Sequence, residues 1–149
     1  MKWSHRCCFL LPVIFAAGSA YAQGKPVDTI GVRIEGVAKD VEMLLKKLQQ
    51  NSLAYNLAIE AADSGYDYRM ECKVTEFVDP DAYPSPPRKV HRPLQTKLEI
   101  YVYEVNDPEN PVVSYSHSSF SADWDRAAKK VLKDLSRKRQ RKVLLPPSS

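Results

Sequence analysis

Four stretches of the chain alternate apolar and polar side chains with the period of two that is typical of a strand with one buried face. They span residues 29–34, 66–75, 94–105 and 112–117. The most regular of them places these side chains on one face: Tyr66, Tyr68, Met70, Cys72 and Val74. Residues 55–59 fit either a short additional strand or the continuation of a helix.

Two other stretches carry apolar side chains at the three- and four-residue spacing of an amphipathic helix. The first spans residues 38–50, with an apolar stripe of Val41, Leu44, Leu45 and Leu48. The second spans residues 122–135, with Trp124, Ala127, Ala128, Val131, Leu132 and Leu135. Ser121 is the predicted N-cap of this second helix.

The order of these elements predicts an α+β fold in which a mainly antiparallel sheet of four to five strands is covered by two helices. Short, turn-like connections join the later strands, and connections of that length favour antiparallel pairing. Residues 79–93 hold five prolines, which predict an exposed extended loop because proline cannot donate to a sheet ladder.

The N-terminus has the three parts of a secretory signal peptide in the required order. Lys2 and Arg6 give a positive start, residues 7–17 are largely apolar, and Ala20 and Ala22 form a small-residue exit. The apolar run is shorter than the roughly 20 residues that span a bilayer. We therefore predict cleavage before Gln23, an exported protein that is periplasmic or secreted, and no transmembrane segment after cleavage.

Composition divides the chain into three parts: a signal peptide (1–22), a single α+β domain (23–135) and a basic, flexible C-terminal tail (136–149). Removing 22 of the 149 residues leaves 127, which suits one domain. Two of the 22 Lys and Arg lie in the signal, so 20 remain against 18 Asp and Glu. Five of the remaining basic residues fall in the tail: Arg137, Lys138, Arg139, Arg141 and Lys142.

The mature chain offers little for a disulfide, a metal or a cofactor. Cys72 is its one cysteine, and its alternation with apolar residues predicts a buried, unreactive thiol. His91 and His117 are its two histidines, and neither has the helical pairing of a zinc site. We expect no metal and no cofactor.

A serine-rich run around His117 raises the alternative of a hydrolase, because a nucleophilic serine needs a nearby imidazole to remove its proton. Neighbouring residues of a strand point to opposite faces, however, so Ser116 and His117 should not meet. The Gly-x-Ser-x-Gly elbow of many hydrolases is also absent from the sequence. The prediction is therefore that the protein is not an enzyme, with a hydrolase using His117 as an alternative.

Two surfaces are candidates for binding a partner. The five basic residues of the tail could attract an anionic partner such as lipid headgroups, cell-wall polymer or nucleic acid, or could form a solvated end. Nucleic acid is disfavoured because the protein is exported and the tail has no aromatic residues for base stacking. Tyr101, Tyr103 and Tyr115 could form an aromatic patch on the outer sheet face, or could lie under the proline-rich loop.

Residues 66–77 (YDYRMECKVTEF), the strand 98–105, the turn and strand that follow and the closing helix resemble a recurrent bacterial envelope architecture. They are similar to the small α/β domains of curli-assembly lipoproteins, of penicillin-binding-protein activators and of the N-terminal part of the Tol system's periplasmic propeller protein. The resemblance implies a binding or assembly role in the periplasm without catalysis. This chain lacks the acceptor cysteine that the lipoprotein members carry after the apolar run.

Taken together, these patterns predict an exported, non-enzymatic binding or assembly module of the cell envelope. Its partner would be an envelope protein or a cell-wall component. A binder of anionic polymer through the basic tail is the first alternative, and the hydrolase is the second. The sequence leaves the oligomeric state open.

Overall fold

The computed structural model describes residues 27–78 and 94–144. The predicted signal peptide, the proline-rich loop at 79–93 with His91, and the last five residues of the predicted tail lie outside the described residues. The elements are β1 (Asp28–Glu35), α1 (Ala38–Ser52), a 3-10 turn (Leu53–Tyr55), β2 (Leu57–Ala61), β3 (Tyr68–Val78), β4 (Leu94–Glu104), β5 (Val113–Ser119) and α2 (Trp124–Leu144).

The five strands form one sheet in the order β2-β1-β3-β4-β5. The long ladders between β3 and β4 and between β4 and β5 are antiparallel, whereas β1 pairs in parallel with both β2 and β3. The predicted α+β fold, with a mostly antiparallel sheet and two helices, is confirmed. The ambiguous segment at 55–59 holds both the end of the 3-10 turn and the start of β2.

The parallel part of the sheet depends on a chain crossing at Gly31. β2 pairs with the first half of β1 and β3 with the second half, so residues 62–67 carry the chain from one side of β1 to the other. Ala62 donates to the Val32 carbonyl at the start of the crossing, and Asp67 donates to the Gly31 carbonyl at its end. A Cβ at Gly31 would lie 3.2 Å from the Tyr66 Cα. A larger residue would therefore push the crossing chain away from β1.

One face of the sheet is buried under both helices, and we call the opposite side the outer face. Leu44 and Leu48 of α1 and Leu132 and Leu135 of α2 are fully buried in a single apolar core. The strand residues that contribute to it are Ile30, Val32, Leu57, Ile59, Tyr68, Met70, Cys72, Leu98, Ile100, Val102, Val113 and Tyr115. The alternation in the sequence thus marks the inward face of each strand.

Helix α2 is longer than the predicted helix and occupies much of the predicted tail. It continues without a break to Leu144, so the prediction of a flexible tail from residue 136 is wrong for residues 136–144. Arg, Lys and Gln are good helix formers, and the sequence has no glycine or proline between Leu135 and Pro146. The N-cap also differs: Asp123 accepts from the Arg126 backbone N–H at 3.0 Å, in place of Ser121.

Gly36 joins β1 to α1 in a conformation that other residues rarely adopt, with φ of 154°. A Cβ there would lie 2.6 Å from the Cys72 carbonyl oxygen. We expect Gly36→Ala to lower the free energy of unfolding by about 3 kcal/mol, measured by urea denaturation.

Gly65→Ala is the matched control for this prediction. Gly65 also has a positive φ, 68°, but a Cβ there would meet no atom within 4 Å. It should cost only about 1 kcal/mol, from backbone strain. If both variants lose the same free energy of unfolding, the close approach to the Cys72 carbonyl does not contribute to the effect of Gly36→Ala.

Candidate binding surface on helix α2

Three of the five basic residues predicted as a binding tail face the domain and pair with its acidic groups. The Lys142 ammonium lies 2.9 Å from both carboxylate oxygens of Glu104, and Lys138 lies 3.4 Å from one of them. Arg139 forms a bidentate ion pair with Asp28, in which Nε donates to Oδ2 and Nη2 donates to Oδ1 at 3.0 Å. These residues hold the end of α2 against the ends of β1 and β4.

Glu104 is the acceptor shared by two lysines one helical turn apart. Its side chain is 18% exposed, which shields these pairs from water more than an ordinary surface ion pair. The hydrogen bond from Lys142 holds the pKa of Glu104 below its usual value, against the opposing effect of burial, and the charge of Lys138 adds to the lowering. The carboxylate is thus stabilised by the folded arrangement of α2.

Arg137 and Arg141, the other two predicted residues, face solvent. On a helix with 3.6 residues per turn they fall on one line with three exposed residues that precede them, within an arc of about 80° and over a length of about 22 Å. We call this line the basic stripe; it consists of Arg126, Lys130, Lys133, Arg137 and Arg141. The prediction missed its first three members, although their spacing of four, three, four and four is readable from the sequence.

The charge of the basic stripe is only partly offset by acidic residues. Asp134 borders it, pairing with Lys130 and lying 4.0 Å from Arg137. At the N-terminal end of the stripe, the Arg126 guanidinium lies 3.3 Å from Nε2 of His117. Five cations against one bordering carboxylate leave a positive potential on the outward side of α2.

Two concave surfaces flank the C-terminal half of α2. A groove of about 500 Å³ runs beside Val112, and its other lining residues are Asp134, Arg137, Lys138, Arg141 and Lys142. A cleft of about 630 Å³ on another side of the helix is lined by Asp28, Arg139, Tyr55, Tyr68 and the exposed Val143 and Leu144, among others. The basic residues thus border open concave space.

The predicted aromatic patch of three tyrosines does not form. Tyr101 and Tyr103 lie half-buried on the outer face, whereas Tyr115 is 8% exposed and belongs to the core. Tyr115 pairs with Ile100, whose side chain points to the helices, and the next residue, Tyr101, must point the other way. The alternation of Tyr115 with Ser114 and Ser116 already carried this signal.

The tyrosines of the outer face are engaged by charged neighbours. The Tyr103 hydroxyl donates to Glu71 at 3.5 Å, and the Arg69 guanidinium lies 4.7 Å from the Tyr103 ring centroid. Arg69 also pairs with Glu71, at 3.2 Å, and with Glu35. The cations and carboxylates of this face largely neutralise one another, unlike those of the basic stripe.

Ser116 and His117 lie on opposite faces of the sheet, as their neighbouring positions predicted. Ser116 pairs with the outward Glu99 and His117 with the inward Leu98. His117 makes a polar contact with Arg126, as described above. The hydrolase alternative stays a prediction.

Residues 27–78 and 94–144 bear on metal ligation and membrane crossing. There, no three His, Cys, Asp or Glu side chains come together in a group that could hold a metal ion. No helix in the same ranges combines the length and the apolar character needed to cross a membrane.

Comparison with known proteins gives no family for this chain. No protein-family model matches it, and no curated protein does. Among solved structures, a candidate lipoprotein from Caulobacter crescentus matches with 17% identity and a TM-score of 0.39, over 80% of this chain and 93% of that one.

Two further solved structures match at lower identity. The PelC dodecamer from Paraburkholderia phytofirmans has 11% identity and a TM-score of 0.39, over 74% of this chain and 86% of that one. Uncharacterised lipoprotein B from Nitrosomonas europaea has 10% identity and a TM-score of 0.32, over 80% and 87%. One of the three structures is a lipoprotein and another a candidate lipoprotein, which is the general class to which the sequence resemblance points. The specific families of that resemblance are not confirmed.

Cys72 lies on β3 and is buried, as its alternation predicted. Burial raises the pKa of its thiol to about 12, and the nearby carboxylate of Asp40 adds to the increase. Because the thiolate is the reactive form, we expect the folded protein without residues 1–22, in which Cys72 is the one cysteine, not to react with iodoacetamide at pH 8, and to react fully in urea. Mass spectrometry measures the adduct, with glutathione as the reactivity control. Rapid labelling of the folded protein would contradict a buried thiol.

Glu104→Gln should loosen the end of α2 by removing the carboxylate that Lys138 and Lys142 share. We expect a loss of about 1 kcal/mol in the free energy of unfolding at pH 7, measured by urea denaturation. Because the folded state lowers the pKa of Glu104, its contribution is complete above the pKa of unfolded glutamate. It is lost as the pH falls through the lowered pKa, so wild type and variant should converge in acid. Glu109→Gln, at an exposed turn position, is the control; a difference independent of pH would contradict the ionic origin.

Proposed function

We propose that this protein is an exported, non-enzymatic binding module of the cell envelope that holds an anionic partner through the basic stripe of α2. The export part of the proposal is supported by the positive start, apolar run and small-residue exit of the N-terminal sequence. The binding part is supported by one observation above all: five basic side chains stand on one line of a rigid helix.

The rigidity of the helix matters because a partner then meets charges that are already in place. The buried apolar line of α2, from Ala127 to Leu135, and the pairs of Arg139 and Lys142 with the sheet fix how the helix is rotated. A solvated flexible tail would have to lose conformational entropy on binding, whereas the basic stripe is pre-organised. Residues 136–144, which the sequence predicted as a flexible tail, are helical. This supports the hypothesis of an anionic partner.

The proposal can be tested by charge removal on the basic stripe. Arg137→Gln/Arg141→Gln removes two exposed cations, and the ion pair lost with Arg137 is its exposed 4.0 Å contact with Asp134, so the fold should be retained. Near an anionic lipid surface each basic side chain contributes about 1 kcal/mol, so the double variant should bind roughly thirtyfold more weakly. Binding is measured by co-sedimentation with phosphatidylglycerol-containing vesicles and by titration with soluble polyphosphate.

Lys39→Gln/Lys46→Gln is the matched control, since it removes two exposed cations from α1 and leaves α2 intact. It should bind both probes nearly as wild type does. For wild type, affinity should fall steeply with salt because the attraction is between exposed charges. Binding that is equal in the two double variants, or insensitive to salt, would refute a role for the basic stripe.

A further inference from the structure

We infer that the anionic partner of the basic stripe is a phospholipid membrane surface, and that the last turn of α2 enters that surface, with Leu144 on the line of Arg137 and Arg141 and Val143 next to it in the chain. This inference rests on the proposed function and adds the chemical class of the partner. Its basis is the composition of the last turn of α2, where cations and solvent-facing aliphatic side chains occur together.

Val143 and Leu144 are the most exposed large apolar side chains of the described residues, at 86% and 80%. They follow Lys142 in the last turn of α2. Leu144 is 18 residues after Arg126, which is five full helical turns. Leu144 therefore lies on the line of the basic stripe itself. The stripe combines positive charge along its length with an apolar group at its end.

This combination separates a membrane from other anionic partners. A hydrated polymer such as polyphosphate or a cell-wall glycopolymer can neutralise the arginines but gains nothing from exposed valine and leucine. A bilayer provides phosphates for the arginines and, a few ångströms deeper, an apolar layer that accepts aliphatic side chains. Charge and apolar exposure are both complementary to a phospholipid surface.

The geometry allows the end of the helix to approach a flat surface. Lys138, Arg139 and Lys142 are turned toward the domain by Glu104 and Asp28, which leaves Arg137, Arg141 and Leu144 on the outward side. The protein would therefore adsorb without unfolding, with α2 lying along the membrane and its last turn entering deepest.

The test compares Val143→Ser/Leu144→Ser with wild type on two probes: vesicles of phosphatidylglycerol and phosphatidylcholine, and soluble polyphosphate. Losing the insertion of two aliphatic side chains should weaken vesicle binding about tenfold. Polyphosphate binding should be unchanged, because the charges are intact. Phe120→Ser is the matched control, since Phe120 is 75% exposed but precedes the other end of α2; it should leave both affinities unchanged.

The outcomes separate this inference from the proposed function. If the serine variant binds vesicles as wild type does, or if the protein binds polyphosphate but not vesicles, the membrane inference is overturned and the anionic binding module stands. If Arg137→Gln/Arg141→Gln changes neither probe, the proposed function fails and this inference fails with it. A loss of vesicle binding equal in Phe120→Ser and Val143→Ser/Leu144→Ser would also overturn the insertion of the last turn.

Discussion

The burial of one apolar line along α2 determines much of the rest of the structure. Ala127, Ala128, Val131, Leu132 and Leu135 are fully enclosed between the sheet and α1. Each of them removes apolar surface from water, which is the main favourable contribution to folding. Because a helix is rigid, fixing this line inward also fixes the opposite line outward. The basic stripe is that opposite line, so the packing of the core decides which charges a partner can reach.

The basic residues near the C-terminus therefore have two different roles. One group faces the domain and makes ion pairs with Glu104 and Asp28: Lys138, Arg139 and Lys142. These ion pairs stabilise the part of α2 that follows Leu135, its last buried leucine. Arg137 and Arg141 lie about a third of a turn away from this group and face water. Residues of one type, adjacent in sequence, thus divide into structural and exposed groups by their position around the helix.

The sheet shows the same division between a packed and an open face. Its inner face is apolar and covered, whereas its outer face is polar and has ion pairs such as those of Arg69 with Glu35 and Glu71. Surface ion pairs of this kind contribute little to stability, but they neutralise the local charge. The outer face thus offers a partner less uncompensated charge than α2 does, although both surfaces are accessible.

The sequence by itself determined four of the five strands, the start of both helices and which side of each is buried, because these depend on local periodicity. It left β2 ambiguous and ended α2 too early, because a short segment and a helix end without buried side chains have no clear period. It also contained the signals for the inward Tyr115 and for the spacing of the basic stripe, since both follow from the repeat of a strand or a helix. Only the tertiary structure decided the parallel pairing of β1, the crossing at Gly31 and the division of the basic residues. The partners of Arg139 and Lys142 are far away along the chain, at Asp28 and Glu104, and no local pattern specifies a contact between such distant residues. Those contacts arise when the apolar faces pack and bring the ends of β1, β4 and α2 together.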